Sequence, residues 1–185
     1  AVRIPHHPVA LTLLKKVGKP LAAPSANRSG KVSPTTANHV AEDFPDLFIL
    51  EGGATTVGLE STILDLTSPT PLILRPGGIS QEELEAIIGP LQMHGDGTIK
   101  APGMMKSHYA PHLPLRLNAL APHAGEAFLA CGPASQWDLN LSETGDLREA
   151  AANLFKMLRL LDQKDFKGIA VAPIPMQGLG IALND

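Results

Sequence analysis

The feature that most constrains the fold is a long stretch near the middle of the chain, residues 90–113. Its sequence, PLQMHGDGTIKAPGMMKSHYAPHL, shows neither the helical nor the strand period of apolar residues. Loops of this length without regular structure are uncommon inside a compact domain and usually act as linkers or carry function. We therefore predict a domain over residues 1–89, a linker or lid over residues 90–113, and a second domain over residues 114–185.

Proline and glycine divide the first of these domains into short elements. Apolar runs predict strands at residues 2–4, 21–23, 47–50, 58–66 and 71–74, and helical patterns cover residues 8–17, 34–44 and 81–88. Ser33 before Pro34 is typical of a helix start, with a hydroxyl at the N-cap and proline where its missing N–H costs little. Ser80 and Glu83 have the spacing of a capping box.

The second domain alternates between the two kinds of element. Strands are predicted at residues 114–119, 127–131 and 168–174, with an amphipathic helix over residues 147–161. This alternation predicts a small α/β domain with parallel strand pairs. Cys131, in the run FLACG, is interpreted as a small buried apolar residue.

Charge and histidine spacing exclude some classes of function. A net charge of −3 argues against a broadly basic nucleic-acid surface. His108 and His112 have the spacing of a helical zinc pair, but Pro111 between them disfavours the helix, so no metal site is expected. The chain shows no signal peptide and no apolar run of membrane-spanning length, so we expect a cytoplasmic protein without membrane contact.

The stretch from residue 20 to residue 40 is the first candidate binding site. It reads PLAAPSANRSGKVSPTTANHV, a loop of small and polar residues that includes Ser25, Asn27 and Ser33. Hydroxyls and backbone N–H groups before a helix N-terminus can hold an anion, most often a phosphate. An ordinary loop leading to a capped helix explains the same pattern, and the residues alone leave both interpretations open.

Two arginines add to this candidate site. Arg75 ends an apolar strand and precedes Pro76 and two glycines, and Arg3 follows another predicted strand start. Arginine binds phosphate and carboxylate groups in a fork geometry, although a surface salt bridge would use the same residue. With Ser61 nearby in GLEST, these arginines outline an anion-binding pocket.

Four motifs in this order carry a family resemblance: PSANRSGKVSPT, GLESTILD, LRPGGIS and PGMMKSHYAP. Together they resemble the YrdC-like threonylcarbamoyl-AMP synthases of the long, two-domain form. The resemblance implies an α/β fold: the C-terminal part of a YrdC-like twisted open-sheet domain, a long linker, and a small Rossmann-like α/β domain. It also implies synthesis of L-threonylcarbamoyl-AMP and pyrophosphate from L-threonine, bicarbonate or CO2, and ATP.

The resemblance further implies roles for single residues. Ser25, Ser33, Arg75 and Tyr109 would contact ATP, with Arg75 stabilising phosphate charge, and Arg3, Ala23 and Ser61 would line the threonine pocket. Mg2+ would accompany the ATP phosphates, and no residue is expected to act as a covalent nucleophile. A tRNA-modifying transferase would consume the product, and contact with tRNA itself is not required.

The resemblance also implies a limit and leaves alternatives. In this family the catalytic domain begins well before the position of Ala1, so we expect a piece of a longer protein that is inactive alone. One alternative is a non-enzymatic RNA- or nucleotide-binding module of YrdC-like fold. Another is a carbamoyl-transfer domain resembling those of hydrogenase maturation factors, which the HYAP linker and the second domain disfavour.

Overall fold

Two separate sheets organise the described residues, 1–94 and 109–185, of the computed structural model. The N-terminal region, residues 1–94, contains three helices and a sheet of order β1-β2-β3. Its elements are α1 (Pro8–Val17), α2 (Ala37–Asp43), β1 (Ile63–Asp65), β2 (Leu72–Arg75), α3 (Gln81–Ile88) and β3 (Gln92–Met93). Strand β1 pairs antiparallel with β2, and β2 pairs parallel with β3 across helix α3.

The C-terminal region, residues 109–185, has a four-stranded parallel sheet of order β4-β7-β5-β6. Its elements are β4 (Leu115–Arg116), β5 (Glu126–Ala130), β6 (Leu139–Asn140), α4 (Leu147–Asp162), β7 (Gly168–Val171) and α5 (Gly180–Asn184). Strands β5 and β7 are almost entirely buried, as expected for the centre of a parallel sheet. The predicted mixed α/β fold with parallel strands is therefore confirmed.

The boundaries of helices α1, α3 and α4 were predicted most closely. Helix α1 ends at Gly18, which takes the left-handed conformation at φ 65°. Helix α3 has the capping box of Ser80 and Glu83. Helix α4 has the expected start, and the side chain of Asp146 accepts hydrogen bonds from two backbone N–H groups of its first turn.

Several strand predictions in the N-terminal region were wrong. Residues 2–4, 21–23 and 47–50 contain no strand, and Val2 is 97% exposed. A short apolar run becomes a strand only when another strand offers its backbone groups, and the described residues place none beside these runs. The predicted strands at residues 58–66 and 114–119 shrink to β1 and β4, and the short strands β3 and β6 were missed.

The start of helix α2 was also predicted wrongly. The helix begins at Ala37, and its N-cap is Thr36, whose hydroxyl accepts from the backbone N–H of His39. Ser33 is instead buried, and its hydroxyl donates to Glu60. Thr36 directly precedes the first helical residue and so provides the capping oxygen, whereas Ser33 lies three residues further from the helix.

The two regions meet along helix α4. Val32 lies in the apolar cluster that α4 forms with the parallel sheet. Arg159 donates to the carbonyl of Val32 and to the carboxylate of Asp43, both at 2.7 Å. Gly58 approaches the helix so closely that an added Cβ would lie 2.3 Å from the Ala151 carbonyl oxygen. The N-terminal region is therefore anchored on the C-terminal one.

No helix among residues 1–94 and 109–185 has both the length and the apolar content needed to cross a membrane.

Candidate functional site

Arg75 lies at the centre of the candidate site. It ends strand β2, and its side chain is buried. Its Nε and Nη2 atoms donate to the carbonyl oxygen of Ser61, at 3.1 and 2.7 Å, and Nη1 donates to the hydroxyl of Tyr109 at 2.6 Å. The fork geometry expected of an arginine at this strand end is thus used to hold two other segments of the site.

Arg3 approaches Ser61 from another side. Its Nη1 atom donates to the Ser61 Oγ atom at 2.9 Å, across a sequence separation of 58 residues. Both arginines therefore converge on Ser61, one at its hydroxyl and one at its carbonyl. Arg3 and Ser61, two of the three residues predicted to line the threonine pocket, therefore lie together. They lie beside Arg75 and Tyr109, two of the four residues predicted to contact ATP.

The turn after β2 fixes this arrangement. A Cβ atom at Gly77 would lie 2.3 Å from the Glu60 carbonyl oxygen, so only glycine allows the turn to pack on the GLEST segment. The backbone N–H of Gly78 donates to the same carbonyl at 2.8 Å. Thr62 joins the two segments through its hydroxyl, which donates to the Ile79 carbonyl at 2.6 Å. The motifs GLEST and RPGG are therefore two sides of one contact.

The small-residue loop supplies less direct contact. Asn27 supports the loop through its Nδ2 atom, which donates to the carbonyls of Arg28 and Lys31. The Asn27 Oδ1 atom is buried without a hydrogen-bond partner among the described residues. Ala23 and Ser25 are exposed, and no described hydrogen bond joins either of them to Arg3, Ser61 or Arg75. Their ligand contacts remain predictions.

Glu60 is the member of the site that sequence reasoning missed. Its Oε1 atom accepts from the Ser33 hydroxyl at 2.6 Å, and its Oε2 atom lies 3.8 Å from Arg75 Nη2. The signal was present in the sequence, since a single acid between Leu59 and Ser61 in an otherwise uncharged motif needs a partner when half-buried.

Tyr109 connects the site to the C-terminal region. It takes a left-handed backbone conformation at φ 51°, and its ring lies 5.8 Å from that of Phe155 on α4. Burial raises the pKa of the Tyr109 phenol above its ordinary value, and the Glu60 charge adds to this effect. Tyr109 is therefore a neutral hydroxyl at physiological pH. Its sequence neighbours Lys106 and His108 lie outside the described residues.

A cavity of about 100 Å³ adjoins these groups. Glu60, Arg75, Tyr109 and Asp185 line it, and most of the other lining residues are apolar side chains of the C-terminal region. Leu117 and Val171 in the wall lie at the carboxyl ends of β4 and β7, the edge where open parallel sheets bind ligands. Apolar walls with a few polar groups at one end are typical of small-molecule sites.

Possible metal ligands and the one cysteine also bear on the chemistry of the site. Within residues 1–94 and 109–185, no three or more His, Cys, Asp or Glu side chains group as metal ligands would. The Nδ1 atom of His112 lies 3.0 Å from the Lys31 Nζ atom. Burial raises the pKa of the Cys131 thiol, which favours the unreactive neutral form. The two arginines that converge on Ser61 suit the site to binding and orienting anions.

Two family models together match nearly the whole chain. The one described as Telomere recombination, for Sua5, YciO and YrdC proteins, matches residues 1–77, and the Threonylcarbamoyl-AMP synthase, C-terminal domain matches residues 79–185. The second match begins at residue 79, before the predicted linker start at residue 90, and the predicted domain bounds stay a prediction.

Curated relatives and solved structures agree with these matches. The chain is similar to the threonylcarbamoyl-AMP synthase of Pyrococcus abyssi, with 40% identity over 99% of this chain and 61% of the relative. The Bacillus subtilis threonylcarbamoyl-AMP synthase is 36% identical, over 99% and 60%. The crystal structure of P. abyssi Sua5 complexed with L-threonine superposes with a TM-score of 0.85 and 37% identity, over 98% of this chain and 61% of that one.

The chain thus spans about 60% of the length of the relatives it matches, and the expectation of a fragment inactive alone remains a prediction. The matched models, the relatives and the paired motifs around Ser61 and Arg75 agree with one another. This chain belongs to the threonylcarbamoyl-AMP synthase family.

Proposed function

We propose that this chain contributes the Arg3–Ser61–Arg75 site of an enzyme that forms L-threonylcarbamoyl-AMP and pyrophosphate from L-threonine, bicarbonate or CO2, and ATP. The product would serve the threonylcarbamoyladenosine modification of tRNA. The observation that carries the proposal is the convergence of Arg3 and Arg75 on Ser61. The relative whose structure contains L-threonine supports the choice of amino acid.

Threonine would bind where Arg3 meets Ser61. The Arg3 guanidinium suits the threonine carboxylate, because charge-assisted bonds to a carboxylate are the strong ones. Ala23, on the neighbouring loop, would leave room for the threonine side chain. Arg3 is exposed, so it can exchange its bond with Ser61 for a bond to the ligand.

ATP would bind on the Arg75 side, with Ser25 and Tyr109 contributing further contacts. The threonine amine takes up CO2 as a carbamate, and a carbamate oxygen forms a new bond to the α-phosphorus of ATP. The bond from that phosphorus to the bridging oxygen breaks, and the electron pair leaves with pyrophosphate. Such a transfer depends mainly on positioning and on neutralising charge, which Arg75 can supply.

Mg2+ enters the proposal with the ATP phosphates. Because the described residues offer no cluster of three or more acidic or histidine ligands, the proposal gives the protein no metal cage of its own. When bound, the ion supplies charge neutralisation at the phosphates.

The test is calorimetric titration of the chain with L-threonine and with ATP·Mg2+, beside a pyrophosphate-release assay with bicarbonate. Arg3→Met should weaken threonine binding about tenfold or more, because a charged hydrogen bond to the carboxylate is lost. Arg148→Met, an exposed arginine of α4, is the matched control and should leave it unchanged. A chain that binds ATP but not threonine would favour the nucleotide-binding module instead.

A further inference from the structure

The relation between Ser33 and Glu60 changes what each can do for a ligand. Ser33 is only 5% exposed, and its hydroxyl donates to the Glu60 Oε1 atom at 2.6 Å. A serine hydroxyl has one proton, so Ser33 has none left to donate to a phosphate oxygen. Ser33 therefore acts on Glu60, and Glu60 is the group that faces outward.

The backbone of Glu60 is held from three directions. Gly78 donates to its carbonyl at 2.8 Å, and Gly77 packs against that carbonyl too closely for a side chain. Two residues earlier, Gly58 is in contact with helix α4. With Ser33 fixing one carboxylate oxygen, the direction of the other oxygen is determined by the fold.

That second oxygen, Oε2, lies 3.8 Å from Arg75 Nη2, and the Glu60 side chain, which is 21% exposed, lines the cavity. An ionised carboxylate only accepts hydrogen bonds and repels phosphate. A ligand that uses both groups must therefore present an anion to Arg75 and a hydrogen-bond donor to Glu60, close together. A nucleoside phosphate does so, with its phosphates and its ribose hydroxyls.

We propose that Glu60, positioned by Ser33, binds the ribose hydroxyls of the nucleotide. Carboxylates recognise ribose hydroxyls in other α/β nucleotide sites. The inference rests on the proposed function, since it takes a nucleotide at Arg75 as given. The threonine ammonium group is the less suitable donor, because the Arg3–Ser61 contact is made by the Ser61 hydroxyl, whereas the Glu60 carboxylate is directed towards Ser33 and the cavity.

The experiment compares the affinity of the chain for ATP, for 2′,3′-dideoxy-ATP and for inorganic tripolyphosphate, with and without Mg2+. The wild-type chain should bind ATP about tenfold or more tightly than dideoxy-ATP, because dideoxy-ATP cannot form the hydrogen bond to a charged group that the ribose hydroxyls would form. Glu60→Gln should lose this preference and bind tripolyphosphate at least as tightly as the wild type, because a negative charge beside Arg75 is removed. Glu143→Gln, at an exposed acid of the C-terminal region, is the control and should keep the wild-type pattern.

Ser33 is tested by rescue. Ser33→Ala should reduce the preference for ATP over dideoxy-ATP, and Ser33→Thr, which keeps the hydroxyl, should restore it. A purely structural role for Ser33 would instead weaken all three ligands equally, and thermal unfolding of each variant shows whether it is folded.

Three outcomes would overturn the inference. The first is equal affinity for ATP and dideoxy-ATP in a wild-type chain that binds threonine, which leaves the proposed function standing. The second is an effect of Glu60→Gln seen only with Mg2+, which would make Glu60 a metal ligand. The third is a loss of threonine affinity in Glu60→Gln that matches its loss of ATP affinity. A wild-type chain that binds neither threonine nor ATP would refute the proposed function itself.

Discussion

Helix α4 and the three helices of the N-terminal region differ in how many of their residues are buried. Helix α4 buries six residues against the parallel sheet, whereas α1, α2 and α3 contain no buried residue. The strands show the same contrast, since β5 and β7 are nearly continuous buried runs and β1 is only partly buried. The C-terminal region therefore holds most of the apolar core.

Polar side chains make up a larger share of what the N-terminal region buries than of what the C-terminal region buries. Of the four buried polar or charged residues in the described chain, three belong to it, namely Ser33, Thr35 and Arg75. Buried polar groups cost free energy unless they are hydrogen-bonded, and they contribute specificity more than stability. The contrast teaches that one region provides stability and the other provides the binding groups, which are held in place at the junction with α4.

The largest effect should come from the apolar core. Leu161→Ala, at a fully buried position of α4, should lower the free energy of unfolding by about 2–5 kcal/mol through lost burial and a cavity. Ile87→Ala on α3, where the side chain is 81% exposed, should cost no more than about 0.5 kcal/mol. Chemical denaturation measures both. Similar losses for the two variants would break the comparison, and Leu160→Ala, next to Leu161 but exposed, is the matched control within α4.

The junction should be the next most sensitive place. Gly58→Ala would place a Cβ atom 2.3 Å from the Ala151 carbonyl oxygen, in addition to the strain of a positive φ. Gly53 has a similar φ but open space around it, so Gly53→Ala measures the backbone strain alone. That strain should lower the free energy of unfolding by about 1–2 kcal/mol. In thermal or chemical unfolding, Gly58→Ala should lower the free energy of unfolding by at least about 1 kcal/mol more than Gly53→Ala does. Equal losses would mean that α4 does not anchor the N-terminal region at this point.

Arg75→Lys should separate binding from stability. Lysine keeps the charge but cannot make the paired bonds to the Ser61 carbonyl and the bond to Tyr109 together. We expect the affinity for ATP to fall about tenfold or more, while the unfolding free energy falls by no more than about 2 kcal/mol. Calorimetry and denaturation measure the two quantities. Unchanged affinity would show that the buried polar groups of the N-terminal region are not its binding groups.

The smallest effect is the acid dependence that Glu126 contributes in the C-terminal region. Arg116 holds the Glu126 carboxylate through two bonds, at 3.1 and 2.5 Å, and lowers its pKa from 4.5 to about 2. Because the folded pKa is the lower one, the stabilisation is complete above pH 4.5 and is lost as the pH falls towards 2. Glu126→Gln should therefore be slightly less stable at pH 7 and should flatten the stability curve in that range. If the stability of Glu126→Gln depends on pH in the same way as that of the wild type, other carboxylates cause the acid dependence.

Helices were predicted more closely than strands in both regions. Helices with their own punctuation were predicted nearly to the residue, because capping and helix periodicity are local. The runs at residues 2–4 and 47–50 have strand composition but no strand, because a strand depends on a neighbour that composition does not specify. Glu60 was missed for a related reason, since its partners Ser33 and Arg75 are distant in the sequence.

The sequence by itself determined the mixed α/β character and the motifs that contain Ser61, Arg75 and Tyr109. These follow from local patterns, which need only the order of neighbouring residues. Only the tertiary structure decided that Arg3 and Arg75 converge on Ser61, that the Ser33 hydroxyl bonds Glu60, and that α4 packs against Gly58 and Tyr109. Those facts depend on which distant groups meet, and packing and hydrogen bonding settle that when the chain folds.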